Sequence, residues 1–321
     1  MCAIIEKKAI FYVPVKERSV DMSITTIITF IKEVVATFMI LLNMVSPFSV
    51  SNGVPYEAEN PDELIASIVT ISDVHVETNY PESYNNLYMI LDGIKAGKNI
   101  DAVVYTGDNV MNGQALENFF FYSAVKAMKP AENNFVLAGN HDLGNQAGDY
   151  EALLENYIRN NKTYLGEDVG KGYYYRVVNG CYLIMLISEE ESTWDFVIGD
   201  EQLEWLENVL KEANEKNAPV LVFNHYPLYY NETTGKKVAS LLNEYNANLF
   251  LYGHYHNEMG ADNFSKWENI NIINLPRVTE TTEYGAGDGV VIEVYEGKIV
   301  VRARNFITGE WLEDLVYTYE Y

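Results

Sequence analysis

The sequence predicts an α/β fold built on mostly parallel or mixed sheets covered by helices, and three observations predict it. Short continuous apolar runs recur along the chain, at residues 65–72, 102–106, 135–138, 220–223 and 249–252. Runs of this length without alternation read as strands buried on both faces. Helical patterns lie between them, and each run ends in Asp, Asn or His. In open α/β sheets the carboxyl ends of the strands are where ligands bind, so those end residues are the first candidates for function.

The N-terminal part stands apart. Residues 24–31 are largely apolar, Lys32 and Glu33 interrupt, and a second apolar run extends from Val34 to Leu42 and weakly on to Val50. That run has the length of a signal-peptide core and is short of the roughly 20 residues a bilayer span needs. Lys7, Lys8, Lys16, Arg18 and Lys32 precede it as an export signal requires, while Glu6, Glu17 and Glu33 oppose that reading. Met22 offers an alternative start, and small residues at 49–52 offer a cleavage point. The expectation is an N-terminal extension over residues 1–51 that exports the chain or anchors it, with membrane association through residues 22–50. An amphipathic or buried helix attached to the domain is the competing reading.

The globular part, residues 52–321, opens with the strand at 65–72, followed by a helix over 84–96. A strand over 102–106, a helix over 116–128 and a strand over 135–138 come next. The clearest helix is 200–214, where Leu203, Leu206, Val209, Leu210 and Ala213 form one apolar stripe and Asp200 is placed to cap the N-terminus. A shorter helix is expected over 237–245. Residues 289–304 read as a hairpin turning at Glu296-Gly297, and 315–319 as a last strand.

Composition bounds the function. Hydrophobic residues make up 48% of the 321, enough for a sizeable core, and the formal net charge is -24. Removing residues 1–51 takes five basic and four acidic residues, leaving 17 and 42, so the acidity belongs to the globular part. Such a surface repels polyanions, and duplex nucleic acid is not an expected partner. Cys2 and Cys181 are the only cysteines and give no zinc-ribbon spacing and no disulfide framework. Cys181 opens an apolar run and reads as a buried strand residue.

The five histidines, His75, His141, His225, His254 and His256, all fall at expected strand ends, beside Asp73, Asp108 and Asn140. Singly, each has an ordinary explanation as a loop or turn residue. Jointly they form an ordered series: Asp73-x-His75, Gly107-Asp108, Gly139-Asn140-His141-Asp142, His225 after its strand, and Gly253-His254-x-His256. Imidazole nitrogen and carboxylate oxygen without sulfur suit Mn, Fe, Zn, Co or Ni. Gly107, Gly139 and Gly253 would let the chain turn sharply at the strand ends. If residues 254–256 are extended, both histidines leave on one side.

This series resembles the five-block signature of calcineurin-like metallophosphoesterases across about residues 67–256. Residues 202–206 also look like that family's helix before its third metal-binding block. The resemblance implies a four-layer α/β/β/α sandwich of two mostly mixed sheets flanked by helices. It implies two divalent metal ions, one held by Asp73, His75 and His256 and the other by Asn140, His225 and His254. Asp108 would bridge them with its two carboxylate oxygens, and His141 would contact the phosphate or protonate the leaving oxygen. Asp142 would orient His141 or support the turn. The implied activity is hydrolysis of a small phosphomonoester or phosphodiester by a metal-bridging hydroxide. With both ions, the two aspartates and that hydroxide, the cluster carries about +1, a local positive centre on an acidic protein.

Within the family, purple acid phosphatases carry a tyrosine ligand where this chain has Met111, and a DxG where it has DxH. The GNHD block looks like small bacterial phosphodiesterases, and repair nucleases share it but need a basic groove. The alternatives are a non-catalytic scaffold on the same fold and a single-strand nuclease. Tyr226, Tyr229 and Tyr230 follow His225 and either stack on a substrate ring or pack under the loop. Glu189, Glu190 and Glu191 read as a solvated loop.

Overall fold

β1 (Ala66–Ile71) is buried at every position, and so are β2 (Ala102–Tyr105), β6 (Val220–Phe223) and β7 (Leu249–Tyr252). Their continuous apolar runs are therefore those of inner strands, as the sequence led us to expect. The computed structural model describes residues 53–144, 149–189, 195–279 and 286–321. The proposed leader or anchor, Cys2, and Glu190 and Glu191 lie outside the described residues. Every described residue falls in one compact unit.

Two mixed six-stranded sheets flanked by helices make the expected four-layer sandwich. The first has the order β12-β11-β10-β1-β2-β3. In it β1, β2 and β3 (Asn133–Val136) are parallel. The antiparallel strands β10 (Asp288–Tyr295), β11 (Lys298–Asn305) and β12 (Trp311–Glu320) extend it to one side. The two-residue turn between β10 and β11 pairs Tyr295 with Lys298, and Gly297 supplies the left-handed φ of 74° that such a turn requires.

The second sheet has the order β4-β5-β6-β7-β9-β8. Here β5 (Cys181–Met185), β6, β7 and β9 (Ile270–Asn274) are parallel, while β4 (Tyr174–Val178) and β8 (Phe264–Trp267) are antiparallel edges. Cys181 is buried in β5, and burial pushes its thiol up. The sheets meet at their carboxyl ends, where Ser72 pairs with Arg277 in an isolated parallel bridge.

α1 (Pro81–Lys95) and α2 (Ala115–Met128) connect the parallel strands of the first sheet, and α3 (Tyr150–Asn160) follows β3. α4 (Asp200–Glu215) and α5 (Glu232–Glu244) cover the second sheet. Leu206, Val209, Leu210 and Ala213 of α4 enter one core cluster with Val222 and Phe250, and Leu203 packs at its margin. The cap of α4 is Gly199 rather than Asp200, which sits in the first turn with Glu201, where carboxylates favour the helix dipole. α5 begins five residues before the expected start because the Asn231 side chain accepts from the N–H groups of Thr233 and Thr234.

Among the described residues, no helix is long and apolar enough to cross a membrane.

Candidate metal centre

Every element of the candidate site hangs on the carboxyl end of a parallel strand, and the chain bends immediately after each one. Asp73, His75, Asp108, His254 and His256 all have left-handed backbone, with φ of 54°, 46°, 51°, 73° and 53°. Side chains other than glycine adopt this region at a cost of order 1–2 kcal/mol, Asp, Asn and His most readily. Residues 254–256 are thus not extended, contrary to the sequence reading. The convergence of His254 and His256 comes from two left-handed residues.

The glycines also act differently from expectation. Gly107 alone of the three has positive φ, at 100°. At Gly139 a Cβ would lie 2.2 Å from Asp108 Oδ1 and 2.5 Å from its backbone N. At Gly253 it would lie 2.0 Å from Ser72 Oγ and 2.2 Å from Asp73 Oδ2. These two glycines admit the carboxylates rather than the turn.

Each aspartate divides its oxygens between scaffold and site. Asp73 Oδ2 accepts from Ser72 Oγ at 2.6 Å and His254 N at 3.1 Å. Its Oδ1 is buried with no hydrogen-bond donor. Asp108 Oδ1 accepts from His141 N at 2.8 Å. That leaves Oδ2 to face the histidines.

Two sets of donors converge on this arrangement. In the first, His75 Nε2 and His256 Nε2 face each other at 3.0 Å. Asp73 Oδ1 lies 3.0 Å from the His256 nitrogen, and Asp108 Oδ2 lies 3.7 Å from the His75 nitrogen. In the second, His225 Nε2 is 3.1 Å from both Asp108 Oδ2 and Asn140 Oδ1, and His254 Nδ1 is 3.1 Å from the same Asn140 oxygen. Donors about 2.0–2.2 Å from one ion stand roughly 3.0–3.6 Å apart. The spacings fit two cations sharing Asp108, and so does the orphaned Asp73 Oδ1. Carboxylate, amide and imidazole donors without sulfur fit divalent transition metals. His225 Nδ1 sits 3.1 Å from the Thr106 carbonyl, which only accepts, so Nδ1 holds a proton and Nε2 is directed at the site.

Burial and charge oppose one another at Asp73, Asp108 and His225. Burial by itself lowers His225, but the charges of Asp108, Asp73 and Asp142 push it up to about 9. Burial alone would raise Asp108, yet His225 and His75 bring it to about 2. Asp73 is held well below its usual range for the same reason, with the nearby imidazoles of His256 and His75 adding to the charge of His225. Burial and the charge of His225 depress His254 to about 4. The two carboxylates thus favour positive charge between them, as the fit to cations requires.

His141 belongs to neither donor set. Its Nε2 stands 4.0 Å from Asp108 Oδ2, and its side chain is 20% exposed. The side chain of His256 is 31% exposed, whereas Asp73, His75, Asp108 and His225 are buried. The mouth of the site is therefore on the side of His141 and His256. His141 is oriented by the Met111 carbonyl, 2.6 Å from Nδ1. Nothing in the side-chain pattern marks a main-chain carbonyl, so this contact has no signal among the residues.

Asp142 does not orient His141. Its carboxylate accepts from the backbone N–H groups of Gly139 at 2.8 Å, Asn109 at 3.1 Å and Val110 at 3.2 Å, and from the Asn109 amide at 3.2 Å. It ties the β2 loop to the β3 loop. Of the orienting and turn-supporting roles, these contacts are those of turn support. Burial and the charge of Asp108 raise its carboxyl to about 7.

Among the tyrosines, Tyr226 is buried, with its ring centroid 4.6 Å from that of His254, and is a packing residue. Tyr229 is exposed.

A sequence profile described as calcineurin-like phosphoesterase matches residues 66–258. The uncharacterized protein YvnB of Bacillus subtilis (strain 168) is 30% identical over 199 residues, which is 56% of this chain and 15% of that protein, so the chain spans only a small part of this relative. The fold is similar to a dimetal phosphatase from Danio rerio, with TM-score 0.59 and 17% identity over 80% of this chain and 99% of that one. It is also similar to a purple acid phosphatase from yellow lupin (Lupinus luteus) seeds, with TM-score 0.57 and 14% identity over 79% of this chain and 53% of that one.

Proposed function

Because the chain belongs to the calcineurin-like phosphoesterase family, we propose that it hydrolyses a small phosphomonoester or phosphodiester at a dinuclear metal centre. The observation that carries this reading is the pair of donor sets sharing Asp108 Oδ2, with a partly exposed histidine beside them that ligates in neither. Asp73, His75, His256 and Asp108 would hold one ion, and Asn140, His225, His254 and Asp108 the other. Two such ions neutralise phosphate oxygens and lower the pKa of an attacking water.

The remaining work falls to the chain. The Met111 carbonyl fixes the Nδ1–H tautomer of His141 and turns Nε2 toward the mouth. There Nε2, in the doubly protonated imidazolium form, can contact the phosphate and pass its proton to the leaving oxygen, which leaves the neutral Nδ1–H imidazole. Ser72 and the His254 N–H hold Asp73, and the His141 N–H holds Asp108, so neither carboxylate has to reorganise during the reaction. The acidic surface excludes polyanions and favours a small ester.

The test is metal analysis of the purified full chain together with a substrate panel at saturating manganese. The panel contains p-nitrophenyl phosphate, bis-p-nitrophenyl phosphate, cyclic AMP and single-stranded DNA. Turnover of a small ester with two ions bound is the expected result. Metal binding without turnover of any ester would replace the enzyme reading with a scaffold, and preference for the DNA would make it a nuclease. Export or anchoring through residues 22–50 is part of the same proposal, and a mature N-terminus near Asn52 in secreted material is its check.

A further inference from the structure

On one side of the mouth, the loop that supplies His254 and His256 places Tyr255 between them. The Tyr255 ring lies 5.6 Å from that of His254 and stacks on Tyr229 at 6.0 Å, with 17° between the planes. The Tyr229 hydroxyl is 3.0 Å from that of Tyr252, which anchors the stack to the end of β7. Tyr230 closes the corner, edge-on to His254 at 5.0 Å. Tyr226 and Tyr252 of the same cluster are buried at 2% and 3% exposure, whereas Tyr229 and Tyr255 are each 39% exposed. Packing accounts for the first pair and leaves the second unexplained.

We propose that Tyr229 and Tyr255 form a subsite that receives a planar aromatic substituent of the phosphate ester. The inference deepens the hydrolase reading and rests on it. A phosphate seated on the two donor sets projects one substituent toward the mouth, and the pair of tyrosines borders that mouth beside His254. Their rings are ordered before binding by mutual stacking and by the hydroxyl contact to Tyr252, so little side-chain freedom is left to lose. A π-face accepts any planar ring, whether phenyl or nucleobase, and discriminates against an alkyl group of similar size.

Calorimetric titration of the manganese-loaded full chain tests this without relying on turnover. Inorganic phosphate, methylphosphonate and phenylphosphonate form one series, and the non-hydrolysable phosphonate analogues of ribose 5-phosphate and AMP a second. The parent is expected to bind phenylphosphonate about tenfold more tightly than methylphosphonate. Tyr229→Ala and Tyr255→Ala should each abolish most of that ratio while retaining two ions, and Tyr255→Phe should preserve it. A matching gain for the AMP analogue over the ribose 5-phosphate analogue identifies a nucleotide ester, and a gain for phenylphosphonate alone identifies an aryl ester. If phosphate binds and the aromatic ratio is near one in the parent, or survives both alanine variants, the subsite is refuted and the hydrolase reading stands. If phosphate itself does not bind the metal-loaded protein, both fall.

Discussion

Asp142→Ala separates two roles for a carboxylate in this site. In the structure it accepts from three buried backbone N–H groups, those of Gly139, Asn109 and Val110. Removing it leaves all three without their acceptor. A buried donor that loses its partner costs about 1–3 kcal/mol. Water admitted to the vacated space recovers part of that, giving a net loss of roughly 3–5 kcal/mol. That is a large share of the 5–15 kcal/mol that typically holds a domain together, and it should lower Tm by about 10 °C. Calorimetric melting of metal-free and manganese-loaded protein measures it. The reasoning is refuted if Tm stays within about 2 °C of the parent while kcat falls roughly a hundredfold, because that pattern belongs to a residue acting through His141.

Asp142→Asn carries a pH signature. Because the folded-state carboxyl is raised from 3.8 to about 7, metal-free parent protein loses stability as pH rises through that window. The loss is on the order of 4 kcal/mol. Asparagine does not titrate, so the stability gap between parent and variant should narrow from pH 4 to pH 7, and a constant gap in urea titrations would contradict the buried-acid assignment. His141→Ala should lower kcat by about 10²–10⁴-fold while two ions stay bound. Loss of metal in that variant would make His141 a ligand. Asp108→Asn should weaken both metal sites together, since one oxygen faces both donor sets. Retention of either ion at parental affinity, read by native mass spectrometry, would exclude the shared oxygen. Gly253→Ala should displace the Asp73 carboxylate, because its Cβ falls 2.2 Å from Oδ2, and should cost the first set its ion. An unchanged count of two ions would show that the loop yields instead.

The residues whose chemistry depends on side-chain identity were legible in the sequence. Only certain side chains ligate cations, so Asp73, His75, Asp108, Asn140, His225, His254 and His256 stand out by type and by position after buried runs. What supports them was not legible. Met111 contributes a carbonyl that any residue supplies, and Thr106 does the same for His225. The division of labour between the two oxygens of Asp108 depends on a backbone N–H that exists only once the loops are folded. Among the elements, inner strands were readable because both of their faces are buried. β4, which carries Arg176 among intermediate and exposed positions, and β8, exposed at Ser265 and Lys266, offered no continuous apolar run. The start of α5 was obscured by Thr233, Thr234 and Gly235, weak helix formers that only the Asn231 cap makes tolerable.

The strained backbone explains why so much scaffold surrounds so few ligands. Five ligand residues in the left-handed region represent roughly 5–10 kcal/mol of unfavourable conformation, somewhat less for the tolerance of Asp and His. That is comparable with the net stability of a typical domain, so the loops would relax if anything local released them. Four of the five are tied down where they bend, Asp73, His75, Asp108 and His254. Asp73 N donates to the Gly107 carbonyl and His75 N to the Asp108 carbonyl, which binds the first loop to the second. Asp142 binds the second loop to the third, and His254 N binds the fifth back to Asp73. His225 Nδ1 donates to the Thr106 carbonyl and Gly253 N to the His225 carbonyl, so the second, fourth, fifth and first loops form a closed chain of mutual restraints in which site geometry is a property of all of them together. Weakening one tie should then be felt at donors that it does not touch, and for this reason the effect expected for Asp142→Ala is a loss of the whole constellation's stability rather than of one proton-transfer step.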